Sequence, residues 1–356
     1  MARYGVIGTG MMGVEHIENL NARPGAEVTA IADPCATSLE HGRAAAGDAV
    51  AAFDDHRDLL DSGRCDAVVV ATPNHTHIDL LEHVLETDLH VLIEKPLCTT
   101  VEDCQRVIEM DATRPESAVT WVGLEYRYMP AATELVHLVG DGAVGTPKMV
   151  AVREHRFPFL DKVDHWNRFS ANTGGTLVEK TCHYFDLMNL ILGERPLRVM
   201  ASGAQDVNHL DESYDGHRPD ILDNAFVIVD YASGARALLD LCMFAEATHH
   251  QEELSVVGTT GKVEAFMPQN ELRVGRRGEH WIGGIEQRQV HDEEIAHQGL
   301  HHGSSYLEHV RFFAAITDGA PVEVTLDDGL WSVAMGVAAH RSIERDRPVM
   351  IEEVMA

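Results

Sequence analysis

The stretch VIGTGMMGVEHI, Val6 to Ile17, constrains this chain more than any other feature, because an apolar strand-like start runs directly into glycines at 8, 10 and 13. An ordinary turn between strand and helix explains the spacing, and so does a phosphate cradle. In the cradle, Gly8 permits the turn, Gly10 lets main chain approach a pyrophosphate, and Gly13 lets the helix pack closely on the strand. Met11 and Met12 would then open a helix whose free N–H groups face the anion. Glycines cluster in many turns, so the surrounding sequence has to decide.

Val14 to Leu20 reads as a short helix, Pro24 and Gly25 break it, and Glu27 to Ala32 reads as a second apolar strand ending at Asp33. That acid lies twenty residues past Gly13. A carboxylate at this distance can accept hydrogen bonds from both adenosine ribose hydroxyls, whereas a 2′-phosphate would meet like charge. The spacing therefore predicts NAD rather than NADP. The competing reading makes Asp33 a helix cap or turn residue before Pro34.

A chain of 356 residues can bury two cores, so two domains are expected. No apolar run is long enough to span a bilayer, and the opening strand and turn leave no room for a signal peptide, which points to the cytoplasm. The formal net charge of −29, from 57 acidic against 28 basic residues, argues against nucleic acid and against an anionic membrane as partners. Cysteines at 35, 65, 98, 104, 182 and 242 form no CxxC pair and read as reduced and mostly buried. The 22 histidines include no HExxH set, and no metal is expected.

The first third alternates strand and helix. Its runs DAVVVATP and HVLIEKP are continuously apolar until they stop in polar residues, as strands of a parallel sheet buried on both faces do. Ligands collect at the carboxyl ends of such strands, where Gly8, Asp33, Thr72 and Glu94 all fall. After EYRYMP the segments alternate more and turn at ASGA and TTGK, predicting an antiparallel sheet. The boundary is placed near residue 123, giving units 1–123 and 124–356. Asp206 to Asp223 reads as a long polar loop, and helices are expected over Ser304 to Ala315 and Leu326 to Arg345.

Three further signals carry chemistry. ATPNHTH puts Pro73, Asn74 and His77 after the third strand, and EKP puts Lys95 after the next one. GGTLVEKTCHYFDL reads as a loop entering a helix on which Glu179 and His183, four apart, share a face. Each has a plain alternative: a solvated lysine, a capping asparagine, an ordinary helical pair, or two metal ligands with Asp186 one turn on.

Together with VIGTGMMG, AIADP, EKPLCTT, VVGTTGKVEA and RPVMIEE, these motifs resemble the Gfo/Idh/MocA family of NAD(P)-dependent oxidoreductases over nearly the whole chain. EKP followed about eighty residues later by a glycine pair and an acid–xxx–His–xx–Asp segment is fairly specific to it. The resemblance implies an α/β fold: a Rossmann dinucleotide-binding domain, then an α/β domain with an open, mainly antiparallel sheet that often forms the interface of a dimer or tetramer. It implies that Lys95 reaches the reacting oxygen and that His183 serves as acid/base. Glu179 stands where aspartate is usual, and Lys180 and Cys182 depart from the glycine-rich version of the motif.

The chemistry suits these residue types. Oxidising a secondary alcohol removes a proton from oxygen and a hydride from carbon, so imidazole can take the proton while a fixed ammonium stabilises the developing alkoxide. For the substrate, Arg156, His165, Trp166 and Arg168, with Arg127, Tyr128 and His302, could bond hydroxyls and cover an apolar sugar face. A sugar or cyclic polyol fits this mixture best. The alternatives are an enzyme that oxidises its sugar transiently to break a neighbouring bond, and a non-catalytic NAD-binding regulator.

Overall fold

The computed structural model describes residues 1–278 and 282–356. The first unit runs β1 (Ala2–Ile7), α1 (Met11–Ala22), β2 (Ala26–Ala32), α2 (Ala36–Ala46), β3 (Ala51–Phe53), α3 (His56–Asp61), β4 (Ala67–Val70), α4 (His77–Val84), β5 (His90–Glu94), α5 (Val101–Asp111) and β6 (Thr120–Gly123). The six strands pair in parallel in the order 3-2-1-4-5-6. Every residue of β4 is buried and only His90 of β5 is not, which is why these strands read as unbroken apolar runs. The strand order reverses between β1 and β4, so a crevice opens at their carboxyl ends. Neither β3 nor α3 carries a sequence signal, since a three-residue edge strand is too short to show a period.

Gly8 ends β1 at φ +87, and a Cβ there would lie 2.6 Å from the Ala71 carbonyl oxygen. At Gly13 the constraint is contact, because a Cβ would lie 1.9 Å from the carbonyl oxygen of Gly8.

The second unit contains α6 (Pro130–Gly140), β7 (Pro147–His155), α7 (Ser170–Thr173), α8 (Thr176–Glu179), α9 (Cys182–Leu192), β8 (Pro196–Ala204), β9 (Asn224–Tyr231), β10 (Arg236–Cys242), β11 (Glu252–Gly258), β12 (Gly261–Met267), β13 (Glu271–Arg276), β14 (Glu286–Gln289), α10 (Ser304–Asp318), α11 (Leu326–Arg345) and β15 (Val349–Met350). Its described strands form one mixed sheet in the order 14-13-12-11-7-10-9-8-15. Only β7 and β10 pair in parallel; the others are antiparallel. Turns follow β9 at Ala232 to Ala235 and β11 at Thr259 and Thr260, where the sequence put them.

Helices α6, α9 and α11 lie against one face of this sheet. The other face is apolar yet exposed: Ile228 pairs across to Leu238 and Met200, Met149 pairs to Val257, and Phe226 lies two residues along from Ile228. Phe226 is 60% exposed. The last helices return to the first unit, α10 against α1 and α11 against α5.

One local expectation is corrected. Glu179 and His183 are not on one helix: Glu179 ends α8 and His183 belongs to α9, with Lys180 and Thr181 between. Thr181 adopts ψ 0 and its Oγ1 donates to the Leu177 carbonyl at 2.7 Å, competing with the helical main-chain ladder at that point.

Candidate active site

A cleft of about 1460 Å³ opens along the carboxyl ends of the parallel strands. Of the predicted dinucleotide-binding residues, Gly8, Gly10, Met11, Met12, Asp33, Thr72, Pro73, Asn74, Glu94 and Lys95 line it. Gly13 and His77 lie behind the wall. His77 is fully buried, its ring nitrogens 3.1 Å from the Thr72 carbonyl and 3.0 Å from that of Pro96, and it ties the two strand-end loops together. Burial lowers its pKa, and the main-chain contacts only partly offset that.

At the glycine end no side chain caps α1, and a Cβ on Gly10 would meet nothing within 4 Å. The first-turn N–H groups are therefore available to an anion. Asp33 is fixed by main chain: Thr9 N–H donates to it at 2.7 Å and Cys35 N–H at 2.8 Å. It thus has the turn contacts of the plain reading while its residue also borders the cleft. A glycine cradle without side chains and a carboxylate at the end of β2 fit an adenosine dinucleotide.

At the other end three side chains converge from three elements. Lys95 follows β5, and its Nζ lies 3.2 Å from the Glu179 carbonyl oxygen and 3.5 Å from Glu179 Oε1. Asn74, in the short turn after β4, donates to Glu179 Oε2. Burial opposes the charge on Lys95, but Glu179, with Cys182, Glu94 and Glu125 around it, raises its pKa above the ordinary lysine value. Burial likewise opposes the charge on Glu179, yet Lys95 and Lys162 keep its carboxyl below the usual range. Glu94 bonds His16 at 2.8 Å and accepts from Lys95 N–H at 3.0 Å. Despite burial, the His16 bond, its charge and Lys95 hold Glu94 down to about 2.

His183 is buried behind this group and does not border the cleft. Tyr126 stacks flat on it, ring centroids 4.0 Å apart at 9°. Burial drives its pKa well below that of free imidazole, and Lys95, Lys180 and His301 push the same way. Among the described residues its Nδ1 has no hydrogen-bond partner, and it lies 3.8 Å from Glu125 Oε2.

Among the proposed substrate contacts, Trp166 lines the cleft and the other six do not. Arg127 is buried and bonded to Asp186, with its Nε 2.6 Å from Oδ2, and also faces Asp328. Tyr128 stacks on Trp121 in the core. Arg156 lies over Phe157 and faces Glu154 at 3.5 Å. His165 bonds Asp161 at 2.6 Å and stacks on Tyr214. Arg168 is buried against Glu212 at 3.1 Å, and His302 is exposed.

The sequence reading missed Lys162, which lines the cleft with its Nζ 4.8 Å from the centre of the Trp166 ring. It missed Glu125, Tyr126 and His301 as well. The EYRYMP segment attracted notice through Arg127 and Tyr128, and LHHGSSY through His302; the inward-facing neighbours carried no periodic signal.

Residues 2–123 match the family description "Oxidoreductase family, NAD-binding Rossmann fold", and residues 136–351 match its C-terminal alpha/beta domain. The chain belongs to the Gfo/Idh/MocA oxidoreductase family. It is 29% identical to myo-inositol 2-dehydrogenase of Thermotoga maritima, over 99% of both chains. It is 28% identical to inositol 2-dehydrogenase of Rhizobium meliloti, over 98% of this chain and 99% of that one. The solved structure of GenD2 from gentamicin A biosynthesis, in complex with NAD, superposes with a TM-score of 0.78 at 26% identity, over 98% of this chain and 96% of that one. In this Gfo/Idh/MocA chain the glycine end of the cleft belongs to the NAD-binding Rossmann domain. Among the described residues no helix is long and apolar enough to cross a membrane, and no cluster of three or more ligating side chains could hold a metal ion.

Proposed function

We propose that this protein is a cytoplasmic NAD-dependent dehydrogenase that oxidises a secondary alcohol of a cyclic polyol or sugar. The observation that carries the reading is the ammonium of Lys95, held by Glu179, to which Asn74 donates in turn, in the same cleft as the glycine turn and Asp33. The relatives named inositol 2-dehydrogenase support a polyol substrate.

Bound NAD supplies a hydride acceptor; the remaining work falls to side chains. Asp33 holds the ribose hydroxyls and, by its charge, selects against a 2′-phosphate. Lys95 stays protonated and stabilises negative charge growing on the substrate oxygen. The same charge, added to burial, keeps His183 neutral and ready to accept the hydroxyl proton. Glu179 orients Lys95 and limits the positive charge of the cluster. Trp166 offers a ring face to the apolar side of a sugar. In this reading residues 1–123 bind NAD, and residues 124–356 bind substrate and assemble the oligomer. The exposed apolar sheet face around Phe226 and Ile228 supports packing of a second copy there.

The test is a panel of inositols and sugars with NAD, followed by absorbance at 340 nm. Steady NADH release on at least one polyol is expected. NAD binding without turnover across the panel would favour a regulator, and product formation without net NADH would favour transient oxidation.

A further inference from the structure

Between His183 and the outside lies a line of titratable side chains that the chemistry above does not use. Glu125, in the short turn after β6, is 2% exposed, and its two carboxylate oxygens point to two different imidazoles. Oε2 lies 3.8 Å from His183 Nδ1, and Oε1 lies 3.8 Å from His301 Nε2. The other nitrogen of His301, Nδ1, lies 3.2 Å from Glu15 Oε1, and the His301 side chain is 24% exposed. Glu15 itself borders the cleft.

Two features set this line apart from an ordinary buried ion pair. Buried polar atoms are nearly always hydrogen-bonded, yet His183 Nδ1 and Glu125 Oε2 face each other with no hydrogen-bond partner among the described residues. The stacked Tyr126 ring also fixes the imidazole plane, with Nδ1 on the side of Glu125.

We propose that Glu125 and His301 form a proton relay that connects His183 to solvent. This rests on the dehydrogenase reading, in which His183 is the base. As the carbinol carbon gives up its hydride, the hydroxyl proton goes to His183 Nε2. The proton on Nδ1 passes to Glu125, from Glu125 to His301, and from His301 to water or to Glu15. One proton enters the line and one leaves it, so no further reactant is needed. Glu125 and His301 act through His183 and are positioning residues.

The groups facing Glu125 are His183, His301, Glu94, Lys95, Tyr126, Cys182 and Glu308, and Tyr126 also lies beside His301. Those facing His301 are Glu15, Glu125, Glu94, His183 and His302. Burial pushes the Glu125 carboxyl up to about 7, so it can both take and give a proton near neutrality. Burial opposes the charge on His301, but the Glu15 bond and the charge of Glu125 raise its pKa above the usual imidazole value.

The experiment pairs Glu125→Gln, which keeps shape, with His301→Gln at the partly exposed end. With a polyol that the wild type oxidises, each variant should lose about tenfold in kcat, less than the roughly 10²- to 10⁴-fold expected for loss of the base itself. KM should be unchanged, the double variant should lose no more than either single one, and the pH profile should lose its ionisation near neutrality. Formate should restore turnover to Glu125→Ala in a concentration-dependent way. An independent readout needs no cofactor: the His301 imidazole signals, identified as those missing in His301→Gln, should titrate at lower pH in Glu125→Gln than in wild type. An active wild type whose variants keep kcat and pH profile, or whose losses add and are not rescued, overturns the relay alone. A wild type that oxidises no polyol overturns the dehydrogenase reading, and the relay with it.

Discussion

At the Asp33 end of the cleft the binding surface is main chain held in shape: Thr9 and Cys35 fix the carboxylate through their N–H groups, and the first turn of α1 is bare. At the Lys95 end it is side chains held by one another. Asn74, Lys95 and Glu179 come from separate elements, Asn74 and Glu179 lying 105 residues apart. The first end depends on where glycines permit a turn, which about 25 consecutive residues determine. The second depends on three distant groups arriving within hydrogen-bond distance. Their failures should therefore differ in kind.

The largest effect should come from breaking the side-chain end alone. Lys95→Met should lower kcat by roughly 10²- to 10⁴-fold while NAD, titrated by fluorescence, still binds. An equal loss of NAD affinity would show that the two ends are not separable. His183→Ala should behave in the same way.

A second prediction concerns the support beneath that end. His340 on α11 accepts the Leu177 N–H at 3.1 Å, and burial pushes its pKa down to about 4. Between pH 6.5 and 4 the unfolded chain binds more protons at this site than the folded one, so stability should fall as pH falls through that window. Full protonation of this site costs the folded state about 3 kcal/mol. Melting temperature against pH should be flatter in His340→Gln, and an unchanged slope would remove His340 from the account.

The main-chain end should respond through affinity. Asp33→Asn keeps a hydrogen-bond acceptor but loses the charge, which is worth about 1.5–3 kcal/mol for a bond to a charged group. The preference for NAD over NADP, read as a ratio of kcat/KM values, should narrow accordingly. Smallest of all, Gly10→Val puts a side chain into open space, so the melting temperature should hold while NAD binding weakens by roughly tenfold, about 1.4 kcal/mol. A fall in stability as large as that in affinity would show that Gly10 shapes the turn instead of clearing room for a ligand.

Local sequence revealed the parallel sheet because its strands are apolar without interruption, and α11 because Leu326 to Arg345 carries a helical pattern; the reciprocal cap of Thr325 and Asp328 at its start emerged only in the structure. It singled out Gly8, Gly13 and Asp33 because their places follow from spacing along one strand–helix–strand unit. Lys95 and Glu179 were found by motif, and only the fold brings them together. The arginines show the limit of composition. Arg127 and Arg168 suggested hydroxyl binding, yet each is buried against carboxylates from elsewhere in the chain, Asp186 and Glu212. Charged side chains taken out of water need partners, and those partners lie 59 and 44 residues away.

By itself the sequence determined a strand, a tight turn, a helix and an acid at a set distance, because main-chain geometry is governed by neighbours in the chain. Only the tertiary structure decided that Lys162 rather than Arg127 lines the cleft, that Glu179 and His183 lie on separate helices, and that Glu125 bridges two imidazoles. The reason is that electrostatic and hydrogen-bonding partners are chosen by distance in space, and the return of α10 and α11 to the first unit sets those distances after most of the chain has been laid down.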